Sequence, residues 1–175
     1  MEKANEKMIR VLEETPDYNP EEWVDFLDAG CYPYVLNMKV NKFFLIGDLI
    51  GKTCTSTTSD EVLIETLKEE LETIMDYEVK EVDIRVQHKK GEKKIYLHRF
   101  NHSGHYHLYR QDSDGKWSHK YPAQLPNRQY IEKAIDDNSF TGWCLLLKRK
   151  KSVWSWFLFR SNVAFKPVPK VPICG

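Results

Sequence analysis

Apolar positions recur at helical spacing in much of the first half of the chain and alternate in several segments of the second. Within residues 2–14, Met8, Ile9 and Leu12 predict a helix that TPDYN breaks. Asn19 as cap, Pro20 at the first helical position and Glu22 at the third predict a short helix through Leu27, ended by Asp28, Ala29 and Gly30. In the following CYPYVLNM, Pro33 is tolerable only in the first turn of a new helix, so Cys31 falls at or just before a helix start. VNKFFLIGDLIGKTCTSTTSDE reads as a buried segment leading into a loop. Thr58 with Glu61 then forms a capping box, and Leu63, Leu67, Leu71 and Ile74 make the apolar stripe of a helix ending near Tyr77.

Beyond Tyr77 the period is two. Val82, Ile84 and Val86 alternate, and HKKGEKK turns the chain. The returning strand carries Ile95, Leu97 and Arg99 on one face and Tyr96, His98 and Phe100 on the other. YHLYRQ and KWSHKY are two further strands around the turn DSDG. PAQLPN leads into a short helix around RQYIEKAI, and GWCLLLK and VWSWFLF are closing strands joined by KRKK. Helices first and sheet second predict an α+β class, with N-terminal helices packed on an antiparallel sheet. A single domain over 1–165 and an extended, Pro-spaced tail over 166–175 complete the expected organisation.

Composition narrows the partners. Lys+Arg and Asp+Glu both total 26, so no global charge draws the chain to nucleic acid or an anionic membrane. HKKGEKK and LKRKKS sit at expected hairpin tips and read as solvated turns. Neutral charge also makes VWSWFLF core rather than a stacking platform for single strands. No secretory leader is visible and no apolar run reaches about eighteen residues, so the expectation is a cytoplasmic protein without a membrane span. The four cysteines, Cys31, Cys54, Cys144 and Cys174, form no CxxC pair and are expected reduced.

The candidate chemistry lies in GHYHLYRQDSDGKWSHK, residues 104–120, which hold three of the six histidines. With Gly115 in the left-handed position of a three-residue loop, Asp112 pairs with Lys116, Tyr109 faces His119 and His107 faces Tyr121. A register centred on Ser113 puts His107 directly across from His119. In either register His107, Tyr109, His119 and Tyr121 share one face. Neighbouring imidazoles can serve a nucleophile, one as base and the other as its orienter. Cys31 is the thiol best placed for that role, because a helix start and a histidine partner both favour thiolate.

A Cys opening a helix, a His on a strand and a polar residue on the next strand resemble the papain-like thiol hydrolases, most nearly the NlpC-type cysteine peptidases. The resemblance rests on GCYPYVL and on the spacing of His107 and His119, and covers roughly residues 28–121. HLYRQDSDGKWSHK and CYPYVL are also similar to motifs of small bacterial and phage proteins. The resemblance implies a papain-like fold in which Cys31 attacks a carbonyl, His107 is base and then acid, and His119 orients it. The Cys31 N–H would bind the oxyanion, Tyr18 would assist there, and Tyr109 would line the substrate site. Asn127 is the papain-like alternative for the third residue. Gly30-Cys31-Tyr32-Pro33 replaces the family's usual Asp-Cys-Ser-Gly, which bears on substrate more than on chemistry. A protein or peptide substrate is expected, with no cofactor.

Two other classes stay open. One is a binding or inhibitory protein on the same fold, of phage or mobile-element origin, with the site unused. The other is a metalloprotein ligated by His98, His102, His105, His107 and His119, although no carboxylate at short spacing completes such a site. FLIGDLIGKT is not a phosphate loop: Gly47 and Gly51 leave three residues between them where four are needed.

Overall fold

The computed structural model describes residues 15–100, 103–128, 131 and 141–150. The helix expected within 2–14, most of the one around RQYIEKAI, the strand VWSWFLF and the boundary with the 166–175 tail lie outside them. The class is α+β. Two N-terminal helices, α1 (Cys31–Val35) and α2 (Asp60–Thr73), pack against a six-stranded antiparallel sheet. Its strands are β1 (Tyr77–Val82), β2 (Glu92–Arg99), β3 (Tyr106–Gln111), β4 (Trp117–His119), β5 (Asn127–Arg128) and β6 (Thr141–Arg149). Their spatial order is β1-β6-β2-β3-β4-β5.

That order corrects the expected first hairpin. β6 lies between β1 and β2, pairing Leu145 with Glu81 on one side and with Ile95 on the other. The alternation through Ile84 and Val86 does not become strand, because the carbonyls of both residues accept from the buried Lys94 ammonium at 2.6 and 2.7 Å. Carbonyls turned toward a side-chain donor are lost to a sheet ladder. The stretch GWCLLLK, expected at the sheet's close, is instead interior, as its near-continuous apolar run suits.

Three helix expectations also shift. Pro20 starts only a 3₁₀ turn, Pro20–Trp23, because the Asn19 amide turns to the Glu22 carboxylate at 3.0 Å and caps no backbone group. Val24 and Leu27 are exposed, so no apolar face continues the helix. At α2 the cap is Ser59, whose hydroxyl accepts from Val62 N–H, while Thr58 accepts from Thr55. Leu63, Leu67 and Leu71 are buried as the stripe predicts, but Ile74 is exposed and Asp76 takes a left-handed turn, φ 56°, into β1 at Tyr77.

The main core lies between the helices and one face of the sheet. Ile95, Leu97, Leu108, Leu145 and Leu147 meet Tyr34, Val35, Leu63, Leu67 and Leu71 there. The other face carries Tyr96, Tyr109, Trp117 and Cys144. Buried Glu70 of α2 ties the helices to the loop before it, accepting from the Tyr32 hydroxyl at 2.5 Å and from Gly47 and Leu49 N–H at 2.9 and 2.7 Å. Gly47, at φ 88°, brings the chain so close that a Cβ would stand 2.0 Å from the Lys52 carbonyl oxygen. Gly47 and Gly51 thus turn the segment around a 3₁₀ turn, Asp48–Ile50, and cradle no phosphate helix.

A buried ion pair joins α1 to the β3–β4 hairpin. Arg110 donates from Nε to Asp112 Oδ1 at 3.0 Å, and its other nitrogens reach the carbonyls of Tyr34 at 3.3 Å and Asp17 at 3.2 Å. Asp112 Oδ1 also accepts from Ser118, which shares a 2.7 Å hydrogen bond with the Tyr34 hydroxyl. Breaking a buried pair strands one charge. Arg110→Ala is expected to lower unfolding free energy by about 3–5 kcal/mol in urea titrations. Lys68→Ala, which opens the exposed pair with Glu65, is expected to cost less than about 1 kcal/mol.

Candidate functional site

The turn that forms the site follows the sequence expectation. Asp112 N–H donates to Lys116 O at 2.8 Å, Gly115 N–H to Asp112 O at 2.9 Å, and Gly115 sits at φ 81°. Arg110 pairs with Ser118 and Gln111 with Trp117, so the register centred on Ser113 is not the one adopted. Continued by one residue, the observed register sets Tyr109 across from His119. His107 and His119 are therefore diagonal neighbours, and their rings still meet: His107 Nε2 lies 3.0 Å from His119 Nδ1. One of these nitrogens carries the shared proton; where it is Nε2 of His107, Nδ1 of that ring is left to accept another, and where it is Nδ1 of His119, Nδ1 of His107 is itself protonated.

Aromatic rings enclose the pair. Tyr121 stacks on His107 with centroids 4.3 Å apart, and Tyr109 meets His107 edge-on at 5.0 Å. On β2, His98 pairs in register with His107 and adds a third buried imidazole to the face. Burial favours the neutral ring. It pushes His107 down to about 3, with His119 and His98 adding to the shift, pushes His98 down to about 4, and lowers His119.

Cys31 opens α1, with Gly30 as its cap and Pro33 in the first turn, as the sequence predicts. Its thiol is buried, which pushes the pKa up to about 11. The backbone N–H of Leu108 works against that rise, followed by those of Cys31 and Tyr32. The thiol thus lies against β3 at the residue that follows His107. A thiolate there would also raise Tyr109 and Tyr121, which places the sulfur within electrostatic reach of the two phenols flanking His107. A five-residue helix has little macrodipole, so help to the thiolate comes from these local N–H groups.

Tyr18 and Asn127 have their contacts elsewhere. The Tyr18 hydroxyl donates to Pro126 O at 3.0 Å, and its ring lies under the Arg128 guanidinium. Its single O–H proton is therefore committed elsewhere. Asn127 sits on β5 as the register partner of His119, exposed, with Oδ1 accepting from Arg128 N–H. Tyr109 is on the histidine face, as expected. His105 is exposed, and His102 lies outside the described residues. Cys54 is buried with its thiol toward Lys52 O, and Cys144 is buried in β6 with its thiol pushed up to about 11. Among the described residues no group of three or more His, Cys, Asp and Glu side chains could hold a metal ion.

Sequence reasoning missed the charged residues on the hairpin's other face. Leu108, Arg110, Ser118 and Lys120 share a parity that turns them toward α1, and Arg110, Ser118 and Lys120 are all buried. Three polar residues at inward strand positions were the available signal. Lys120 is fully buried and donates to the carbonyls of Leu27 at 2.9 Å, Ala29 at 2.5 Å and Tyr121 at 3.3 Å.

No family model matches the chain, and the search among curated proteins finds no relative. No helix among the described residues is long and apolar enough to cross a membrane.

The three lowered imidazoles set a pH dependence. Their folded-state pKa values lie below the unfolded value of about 6.5, so the unfolded chain binds more protons as pH falls. Stability from this source is complete above that value and is lost as pH drops toward the folded values of about 4 for His98 and about 3 for His107. Urea midpoints are expected to fall between pH 7 and pH 4. His107→Gln should flatten the slope by up to about 1.4 kcal/mol per pH unit.

Proposed function

We propose that the protein is a papain-like cysteine hydrolase, a peptidase, isopeptidase or amidase, acting through an acyl-enzyme on Cys31. One observation carries the reading: the His107–His119 bond engages Nε2 of His107, and with His107 as its donor Nδ1 serves as base, one residue from the Leu108 N–H that faces the Cys31 thiol. Two buried imidazoles locked ring to ring have no evident purely structural advantage over apolar side chains of the same size.

In the proposed reaction the Cys31 sulfur attacks the carbonyl carbon as its proton passes to His107 Nδ1. His107 Nε2–H donates to His119 Nδ1, which holds the ring and supports the imidazolium. The Cys31 N–H donates to the oxyanion. The proton then returns from His107 to the departing amine, and water, deprotonated by the same nitrogen, releases the acid. Because burial keeps the thiol protonated and the imidazole neutral at rest, proton transfer accompanies attack. A peptide or protein substrate fits this chemistry, which needs no cofactor; the membership of an NlpC-like group belongs to the same proposal.

A second reading is a non-catalytic binding or inhibitory protein on the same fold. The burial of Cys31 and the raised thiol pKa favour it.

A peptidyl acyloxymethyl ketone separates the two readings, since it alkylates a cysteine only where the thiol and its acid–base partner act together. Modification confined to Cys31 among the four cysteines, and slowed about 100-fold or more in His107→Ala, is the expected result by peptide mass spectrometry. Sluggish, equal labelling of all four, unchanged by His107→Ala, would overturn the hydrolase reading.

A further inference from the structure

We propose that Lys120 is a positioning residue of this site, its ammonium fixing the turn that precedes Cys31 to the strand end that carries His119. The inference rests on the reading of Cys31, His107 and His119 as a hydrolase site.

Lys120 follows His119 directly and is fully buried, although an ammonium loses more hydration on burial than almost any other side chain. Its three protons have three acceptors. Two are the carbonyls of Leu27 and Ala29, four and two residues before Cys31; the third belongs to Tyr121, whose ring stacks on His107. The carbonyl of Leu27 also accepts from Ala123 N–H at 2.8 Å, a second tie between the same two segments. A compact point charge with three rotatable donors suits converging carbonyls, which a planar guanidinium does not.

The far end of α1 is held by Arg110 through the Tyr34 carbonyl. The helix is only five residues long and cannot fix its own orientation. Two cations of one hairpin therefore grip it from both sides, and the grip on the nucleophile's side is Lys120. The Lys120 ammonium donates to backbone carbonyls, and so acts through the backbone that bears Cys31.

The test is a double-mutant cycle read by iodoacetamide alkylation of Cys31 in the full chain, with wild type, His107→Ala, Lys120→Met and the double variant. Lys120→Met is expected to slow alkylation about 10-fold to 100-fold. His107→Ala should then slow it no further, because the base no longer meets the thiol. A Lys120→Met chain that is less stable in urea yet keeps the full His107 dependence makes Lys120 merely structural and overturns the proposal. Wild-type alkylation indifferent to His107→Ala would instead overturn the hydrolase reading itself, and the proposal with it. Should Lys120→Met fail to fold by circular dichroism, Lys120→Arg takes its place: it keeps the charge, and loss of His107 dependence in a folded chain is expected. Retention of that dependence in Lys120→Arg would sink the proposal.

Discussion

The buried Arg110–Asp112 pair is the constraint on which the arrangement of helix and hairpin depends. Its two side chains are 3% and 0% exposed, and the carboxylate belongs to the turn while the guanidinium belongs to the strand. Burial raises the Asp112 pKa; Arg110, the Ser118 hydroxyl and Arg128 pull it back. Such a pair adds little to stability over an apolar replacement, yet it is directional, and an apolar contact is not. Arg110 spends that direction on the Tyr34 carbonyl, and Tyr34 returns it through the hydroxyl shared with Ser118. A helix of five residues has no orientation of its own to offer, so the hairpin supplies it.

From that anchor the candidate site follows in steps. With α1 seated on β3, its first residue meets the strand backbone at Leu108. Period-two alternation then sends Leu108 to the helix side and His107 to the other, so the thiol and the imidazole face lie on opposite sides of the strand's backbone. The β3–β4 ladder is short, with two residue pairs, and His119 lies at its end. Such an end is where the ring of His119 can lean diagonally onto His107. A longer ladder in the same register would hold His119 squarely across from Tyr109.

Much of this was legible in the sequence. The thiol at a helix start came from Pro33, whose fixed φ leaves few places for it, and the shared face of His107 and His119 came from parity alone. The DSDG turn was legible because Gly115 has to supply a left-handed residue. Strand order was not: local alternation through Val82, Ile84 and Val86 carries no information about β6, some sixty residues later, taking the place between β1 and β2. The polar contacts on the helix-facing side of the hairpin were hidden for a different reason. A charged residue in a strand reads as solvent-facing, and the backbone carbonyls that satisfy Arg110 lie 76 and 93 positions away, as two of the three that satisfy Lys120 lie 91 and 93 away. Tyr18 failed to join the site because sequence distance to Cys31 says nothing about which acceptor its hydroxyl finds first.

The protonation states bear on how such a site could work. With the thiol pushed up to about 11 and the imidazole pushed down to about 3, the proton stays on sulfur at rest. Both shifts have burial as their leading cause, and burial penalises each charge taken separately. On the proposed reading, the thiolate and imidazolium appear together, when attack on a carbonyl carbon moves the negative charge from sulfur onto an oxygen that the Cys31 N–H can meet. The imidazolium then keeps one neutral acceptor, His119, that a carboxylate would replace with a full charge. A neutral third residue stabilises the imidazolium less at rest, and so it favours the thiol–imidazole form until the substrate supplies the compensating oxyanion. On that same reading, reactivity would be conditional on a carbonyl being bound, which a histidine in the third position serves better than an aspartate would.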